Sequence, residues 1–361
     1  MKNRLLVLSR YSRKGASSRL RAMQYEKYLQ DAGLEVEYAE LFDDDYLQSL
    51  YSGKNARTSL IKYYQKRISK LIRSPKPDLI WLEYEALPWL PWVIERALLP
   101  PSTPIVSDYD DAVFHRYDLH RFSPVRSILG RKIDHVMRRS QLVIAGNDYL
   151  VARAQDSGAT QVEKVPTVVD LSNYTLPADS RKASRLIVGW IGTPNTWEAF
   201  GRRMYTKLED LLTINGARFL AVGAQLDPKS IGNLDIVPWS EGTEVEAIKG
   251  MDIGIMPLTD TPWSRGKCGY KLIQYMACGI PVVASPVGVN SEIVEHGVNG
   301  FLAKDEEEWC SAIEKLLSDD ALRCRMGAAG RKKVEEAYSI QVWGPRVAGM
   351  LRDVADQSSR A

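Results

Sequence analysis

The chain has 361 residues, 45% of them hydrophobic, which is enough for two ordinary domains with their own cores. Its charged fraction of 26% and net charge of +3 are those of a globular protein and by themselves neither require nor exclude an anionic partner. No apolar run approaches the ~18 residues of a membrane span, the short run Leu5–Leu8 gives way to Arg10, Arg13 and Lys14 with no small-residue cleavage site, and Cys268, Cys278, Cys310 and Cys324 show no zinc spacing, so the expectation is a cytoplasmic protein with reduced thiols and no bound metal.

Short apolar runs alternate with helical stretches, the pattern of a parallel α/β protein. Arg4–Ser9 reads as a first strand, followed by a polar turn with Gly15 and an amphipathic helix over about 18–32. Leu34–Tyr38, Leu79–Leu82, Ile105–Ser107 and Leu142–Ala145 read as further strands, each ending in polar residues where a doubly wound sheet keeps its site. Asn55–Lys76 carries seven Lys or Arg and no acid, with apolar residues at helical spacing. It reads as a surface helix with a solvated basic face or as a helix adsorbed on an anionic membrane; no nucleic-acid-binding motif accompanies the charge. The polar stretch Leu176–Arg185 reads as a linker. A second round then begins with strand Leu186–Ile191 and continues with Arg218–Val222, Leu234–Val237, Ile253–Met256 and Pro281–Ala284, ending in a helix over about 340–354.

The most informative stretch is Asp252–Ala303, DIGIMPLTDTPWSRGKCGYKLIQYMACGIPVVASPVGVNSEIVEHGVNGFLA. A buried strand ends at Pro257, a loop with Lys267 and Gly269 leads into a helix over 271–278, and Gly279 ends it. A strand, a Gly/Lys-rich loop and a helix N-terminus together suit a diphosphate, because exposed N–H groups and the helix dipole both favour anions there. Lys267 and Lys271 add charge on the same approach, and Gln274, one turn on, is placed to reach ribose hydroxyls.

In DIGIMPL, KLIQYMACGIPVVAS and VGVNSEIVEHGVNG the chain resembles the "group 1" retaining glycosyltransferases, family 4 of the usual classification. The resemblance implies the GT-B fold, two Rossmann-like doubly wound α/β domains facing across a cleft. Residues 1–180 would be the acceptor-binding domain, 181–338 the nucleotide-sugar donor domain, and 339–361 a helix packing back toward the first. Many members of that family carry a glutamate pair that would fall on Gly266 and Gln274; neither is acidic here. Gln274 keeps hydrogen-bonding capacity to ribose, and Arg265, Lys267 and Lys271 suit phosphate better than sugar.

Gly192-Thr193-Pro194-Asn195 is a second phosphate-loop candidate, implied by the resemblance to lie beside the donor diphosphate, or else a plain strand-to-helix turn. In Ser12–Arg21, Gly15 permits close backbone approach, Ser17 or Ser18 can cap the next helix, and Arg19 would assist at the donor phosphate or be an ordinary solvated arginine. Asp108, Asp110 and Asp111 end a strand that, by the resemblance, faces the transferred sugar, with His115 further on. Asp110 or Asp111 is the expected acceptor-site or catalytic carboxylate, and one of the three aspartates can simply cap the following helix. Such carboxylates could bind a metal, but this fold usually neutralises the diphosphate with helix dipoles and basic residues. Glu83 and Glu85 follow a strand and are either acceptor contacts or surface acids. The resemblance places Glu292 near the donor and Trp239 where a base is contacted, though Trp239 could merely pack.

The expected activity is transfer, with retention, of a sugar from a UDP- or GDP-sugar to a glycan or lipid-linked acceptor, as in polysaccharide biosynthesis. Lys267 and Lys271 would stabilise the leaving diphosphate, and the chain could associate peripherally with the inner face of a membrane through residues 55–76. The alternatives are a sugar-nucleotide epimerase of the same architecture and a non-catalytic nucleotide-sugar-binding protein.

Overall fold

The computed structural model describes residues 3–51, 60–176, 185–225 and 232–360. The chain forms two compact units. The first comprises Met1–Thr167, Gly266–Cys268 and Ile340–Ala361; the second comprises Val168–Arg265 and Gly269–Ser339. The sequence boundary between 180 and 181 lies outside the described residues, as does most of the linker and residues 55–59 of the basic segment.

The first unit is built on six parallel strands, β1 Asn3–Tyr11, β2 Leu34–Phe42, β3 Leu79–Glu83, β4 Ile105–Tyr109, β5 Leu142–Ala145 and β6 Val162–Lys164, in the order β2-β1-β3-β4-β5-β6. Helices cover both faces, so central strands are apolar throughout rather than alternating; Leu8, Leu79, Ile80, Leu82, Val106 and Val143 are all buried. The expected helix over 18–32 is broken into Ala16–Arg21, a 3₁₀ turn Met23–Tyr25 and Glu26–Asp31. The break falls at Ala22, whose φ of −127° is non-helical, directly after Arg21, which is buried against Asp108 of β4. The long helix Ile340–Arg360 packs on Glu26–Asp31 and on β3, and Gly344 lets it meet the ring of Tyr28.

The basic helix, Leu60–Arg73, does not present a uniformly solvated basic face. Arg67 is buried and donates to the carbonyls of Ser9 and Ala39; burial pulls its guanidinium down to about 10. Lys66 and Lys70 pair with Glu40 and Glu37 of β2.

The second unit repeats the architecture with β7 Ile187–Ile191, β8 Arg218–Val222, β9 Leu234–Val237, β10 Ile253–Met256, β11 Val282–Ala284 and β12 Gly300–Leu302, all parallel, in the order β12-β11-β10-β7-β8-β9. Its central helix, Tyr270–Ala277, buries every residue from Leu272 to Ala277, the mark of an element covered on all sides. Asp320–Ala337 crosses it at Gly327, where a Cβ would collide with the Gly279 carbonyl. Gly279 itself, at φ +72°, ends the central helix in the left-handed conformation that glycine adopts most readily.

Candidate functional site

In an open parallel sheet the ligand crevice lies at the carboxyl ends of the strands, where the strand order reverses. In the first unit that point is between β1 and β3. The turn after β1 brings Gly15 and Ser17, and the turn after β3 brings Tyr84 and Glu85. Tyr84 sits at φ +61°, a conformation costly for a residue with a bulky side chain. Its phenol meets Asp110 and lies 2.8 Å from the Ser17 hydroxyl, which also donates to both Asp110 oxygens at 3.0 Å. Tyr84 is the residue sequence reasoning missed here; an aromatic between two glutamates gives no periodic signal, and only its backbone angle marks it.

The three aspartates at and just after the end of β4 take three different partners. Asp108 is buried against Arg21, with Nε to Oδ1 at 2.8 Å; burial pushes the carboxyl up to about 6 while the guanidinium pulls it back. Asp110 faces Ser17 and Tyr84. Asp111 lies 3.7 Å from Lys267, and burial raises its carboxyl to about 6, with the Lys267 charge opposing and Asp110 adding. None caps the following helix, His115–Asp118, whose N-cap is Phe114 without a side-chain bond. Among the described residues no three His, Cys, Asp or Glu side chains are grouped so as to hold a metal ion.

A raised carboxylate pKa weakens the fold as pH rises: between 3.8 and about 6 the folded chain holds more proton at Asp111 than the unfolded chain does. Asp111→Asn is therefore expected to gain stability relative to wild type as pH climbs through that window, with a flat difference below it. Denaturant titrations at a series of pH values read this directly, and a gap that shrinks with rising pH would contradict it.

Several other expectations are corrected. Glu83 and Glu85 are not surface acids; they are 5% and 4% exposed. Glu83 accepts from the Ser18 hydroxyl at 2.6 Å and the Arg10 N–H at 2.8 Å, and burial raises its carboxyl. Glu85 accepts from Tyr117 and pairs with buried Lys132 at 2.7 Å. Arg19 is not solvated but 5% exposed, near the Arg13 carbonyl. Neither Ser17 nor Ser18 caps the first helix, whose N-cap is Gly15 with no side-chain bond. His115 is held between Asp118 and Tyr149, each at 2.8 Å.

In the second unit the strand order reverses between β7 and β10. Gly192 and Thr193 follow β7, and the helix Tyr270–Ala277 begins with Gly269 in the left-handed conformation at φ +66°. Lys271, in that helix's first turn, lies with its ammonium 4.3 Å from the Trp190 ring centre. A Cβ at Gly192 would stand 2.7 Å from that ammonium. Thr193 forms a reciprocal capping box with Thr196, so this turn is an ordered helix start as well as a close approach of backbone to a cation.

Gly192→Ala is expected to displace the Lys271 ammonium and to crowd the Trp190 ring and the Thr196 hydroxyl of the capping box with it. Ligand affinity at this crevice should fall about tenfold, and the check is an isothermal titration of the two proteins with the same anionic ligand.

Other expected donor residues lie elsewhere or are occupied. Gln274 is 3% exposed and donates to the Tyr174 hydroxyl at 3.2 Å instead of facing outward. Arg265 is clamped in two bonds to Asp260. Trp239 packs against the core and donates from Nε1 to Glu244 at 2.7 Å. Glu292 is exposed, and its carbonyl accepts from Lys333. Gly266 explains one departure from the glutamate pattern: a Cβ there would stand 2.8 Å from the Ala112 nitrogen.

Residues 188–319 match the family described as glycosyl transferases group 1. Over that segment the chain is similar to the group 1 glycosyltransferases. It is 25% identical over 222 residues to the GDP-mannose-dependent monoacylated alpha-(1-6)-phosphatidylinositol monomannoside mannosyltransferase of Corynebacterium glutamicum, covering 53% of this chain and 56% of that one. Alignments with the curated relatives cover 14% to 59% of those proteins' lengths. Among solved structures, sucrose-phosphate synthase from Thermosynechococcus elongatus superposes with a TM-score of 0.72 at 16% identity, over 98% of this chain and 99% of that one. Anabaena Alr3699/HepE in complex with UDP-glucose superposes at 0.71 and 18% identity, over 97% and 100%. At such identities the likeness speaks to fold, and the fold is GT-B, two Rossmann-like α/β domains. Among the described residues no helix is long and apolar enough to cross a membrane.

Proposed function

We propose that this chain is a retaining hexosyltransferase that moves a sugar from a nucleotide-sugar donor to a glycan or lipid-linked acceptor, with the donor diphosphate in the second unit. One observation carries the reading: the Lys271 ammonium, held over Trp190 beside Gly192, stands at the β7/β10 crevice within the segment that matches the family. UDP-glucose in the Anabaena neighbour and GDP-mannose in the name of the Corynebacterium relative support a UDP- or GDP-sugar.

Retention needs no enzymic nucleophile if the acceptor attacks the face from which the diphosphate leaves and the diphosphate takes the acceptor proton. The protein then orients both substrates and stabilises charge on the departing phosphate. Lys271 and Lys267 supply that charge, aided by the N–H groups around Gly192 and Thr193. Arg265, Gln274, Trp239 and Glu292 complete the donor side in this reading, Gln274 by packing rather than by direct contact, given its burial. Asp110 and Asp111 serve the transferred sugar or the acceptor, with His115, Glu83 and Glu85 supporting the acceptor side from the interior. A lipid-linked acceptor would draw the chain to a membrane through the described part of the basic segment.

The test is a transfer assay with a panel of UDP- and GDP-sugars and glycan acceptors, followed by NMR of the product's anomeric proton. The expected product keeps the donor's anomeric configuration. Inverted product, or an isomerised nucleotide sugar released without an acceptor, would overturn the reading.

A further inference from the structure

Near the amino ends of β4 and β5, opposite the candidate site of the first sheet, three guanidinium groups surround a pocket of about 460 Å³: Arg96 on the helix Trp92–Leu98, and Arg138 and Arg139 at the end of the helix Lys132–Arg139. None of the three has a carboxylate partner among the described residues. Arg138 and Arg139 are instead aimed by backbone carbonyls, Arg138 Nε to Ser157 at 2.8 Å and Arg139 Nη2 to Pro101 at 2.9 Å and Thr103 at 3.2 Å. Burial and then the neighbouring Arg96 charge hold the Arg139 guanidinium below its usual range, so like charges are crowded here. The nearby acids are committed elsewhere: Glu95 to Lys132 and two backbone N–H groups, Asp134 to Arg153. The helix C-terminus offsets part of this positive charge but supplies no full anion. Trp92, stacked on His135, forms one wall.

This pocket shares Leu99 and Pro101 with an adjoining groove of about 470 Å³ whose lining is largely apolar, including Leu71, Ile72 and Leu98. Ile72 is 64% exposed there, on the basic helix whose solvent-facing apolar residues the transfer reaction leaves unexplained. A cation cluster without counter-ions next to an open apolar groove matches a molecule with an anionic head and a hydrocarbon tail. We infer that this edge of the first unit binds an anionic phospholipid of the bilayer surface, its phosphate on Arg96, Arg138 and Arg139 and its acyl chain along Leu71, Ile72 and Leu98. The inference shares Leu71 and Ile72 with the membrane approach proposed above but uses none of the donor-site residues, so it can fail without the transferase reading failing.

The experiment is flotation of the full chain with vesicles of phosphatidylcholine alone or mixed with phosphatidic acid, alongside melting of the chain with dihexanoyl phosphatidic acid or inorganic phosphate. Wild type should float only with the mixed vesicles. Arg96→Gln, at an exposed position, should weaken that partition about fivefold, one charge near an anionic surface being lost, and Ile72→Ser should weaken it severalfold. Both variants should melt as wild type does and keep any transfer to a soluble acceptor. Equal flotation with both vesicle types, or unchanged partition in both variants, would overturn the inference. So would stabilisation by inorganic phosphate matching that by the short-chain lipid, which would assign the pocket to a free anion.

Discussion

Lys271→Ala is expected to lower turnover about a hundredfold, the usual cost of deleting one preorganised group that stabilises developing charge, while the melting temperature stays close to that of wild type. The two expectations follow from the same geometry. The ammonium is only half-buried, and its packing over Trp190 is worth about 0.5–1 kcal/mol, a small loss for a domain of this size. Its position beside Gly192 and at the start of Tyr270–Ala277, by contrast, is where a leaving diphosphate would gather charge. Lys271→Arg keeps the charge but exchanges a compact ammonium for a planar fork, and should recover part of the rate. Steady-state kinetics with the cognate donor distinguish a loss in kcat from a loss in donor affinity. Wild-type turnover in the alanine variant would remove Lys271 from the proposed mechanism.

Lys132→Met should have the largest effect on stability, about 3–5 kcal/mol. Lys132, Glu85 and Glu95 have side-chain exposures of 0%, 1% and 0%, with the ammonium 2.7 Å from Glu85 and 3.0 Å from Glu95. The ammonium also donates to the Leu87 carbonyl at 2.5 Å. Removing the cation takes from two buried carboxylates the charge they pair with directly, leaving only the more distant Arg10 for Glu85 and Arg67 for Glu95, which is why breaking such a cluster costs far more than the cluster contributes. Adding Glu95→Gln to Lys132→Met removes one of the two stranded charges and should restore part of the loss, a coupling that a double-mutant cycle by denaturant unfolding measures. A Lys132→Met variant as stable as wild type would show that the interior does not isolate these groups. Because Glu85 also holds Tyr117, whose hydroxyl accepts from the Trp89 N–H, the same variant should loosen the whole turn after β3.

The architecture could be read from the sequence wherever a strand is buried on both faces. Leu142–Ala145 and Ile253–Met256, buried at every residue, lie where their apolar runs place them, and the partly buried Arg218–Val222 and edge strand Leu234–Val237 follow from their apolar runs alone. Val162–Lys164 and Gly300–Leu302 escaped notice because three-residue strands at or near a sheet edge carry too few residues to show a pattern. The break at Ala22 was hidden for a different reason. Arg21 looks like a solvent-facing residue of an amphipathic helix, and only the distant Asp108 shows why it turns inward. Arg67 lies in a segment that reads as a basic surface face, and Lys132 carries no local signal of burial; the carbonyls and acids that receive them are brought close only by the fold. In the candidate site, the Gly/Lys-rich loop and helix start were visible because local spacing defines them. The Ser17–Tyr84–Asp110 cluster was not, because it assembles from the ends of three segments remote in sequence.

The proposed transfer requires a nucleotide sugar held at the β7/β10 crevice by Lys271, and the most direct measurement is a thermal-shift titration of wild type and Lys271→Ala against a panel of UDP- and GDP-sugars. Selective binding stabilises the folded chain by mass action. The prediction is that one nucleotide sugar raises the wild-type melting temperature well beyond the others and that this rise is largely lost in Lys271→Ala. Equal stabilisation of both proteins, or no stabilisation of wild type by any member of the panel, would contradict it.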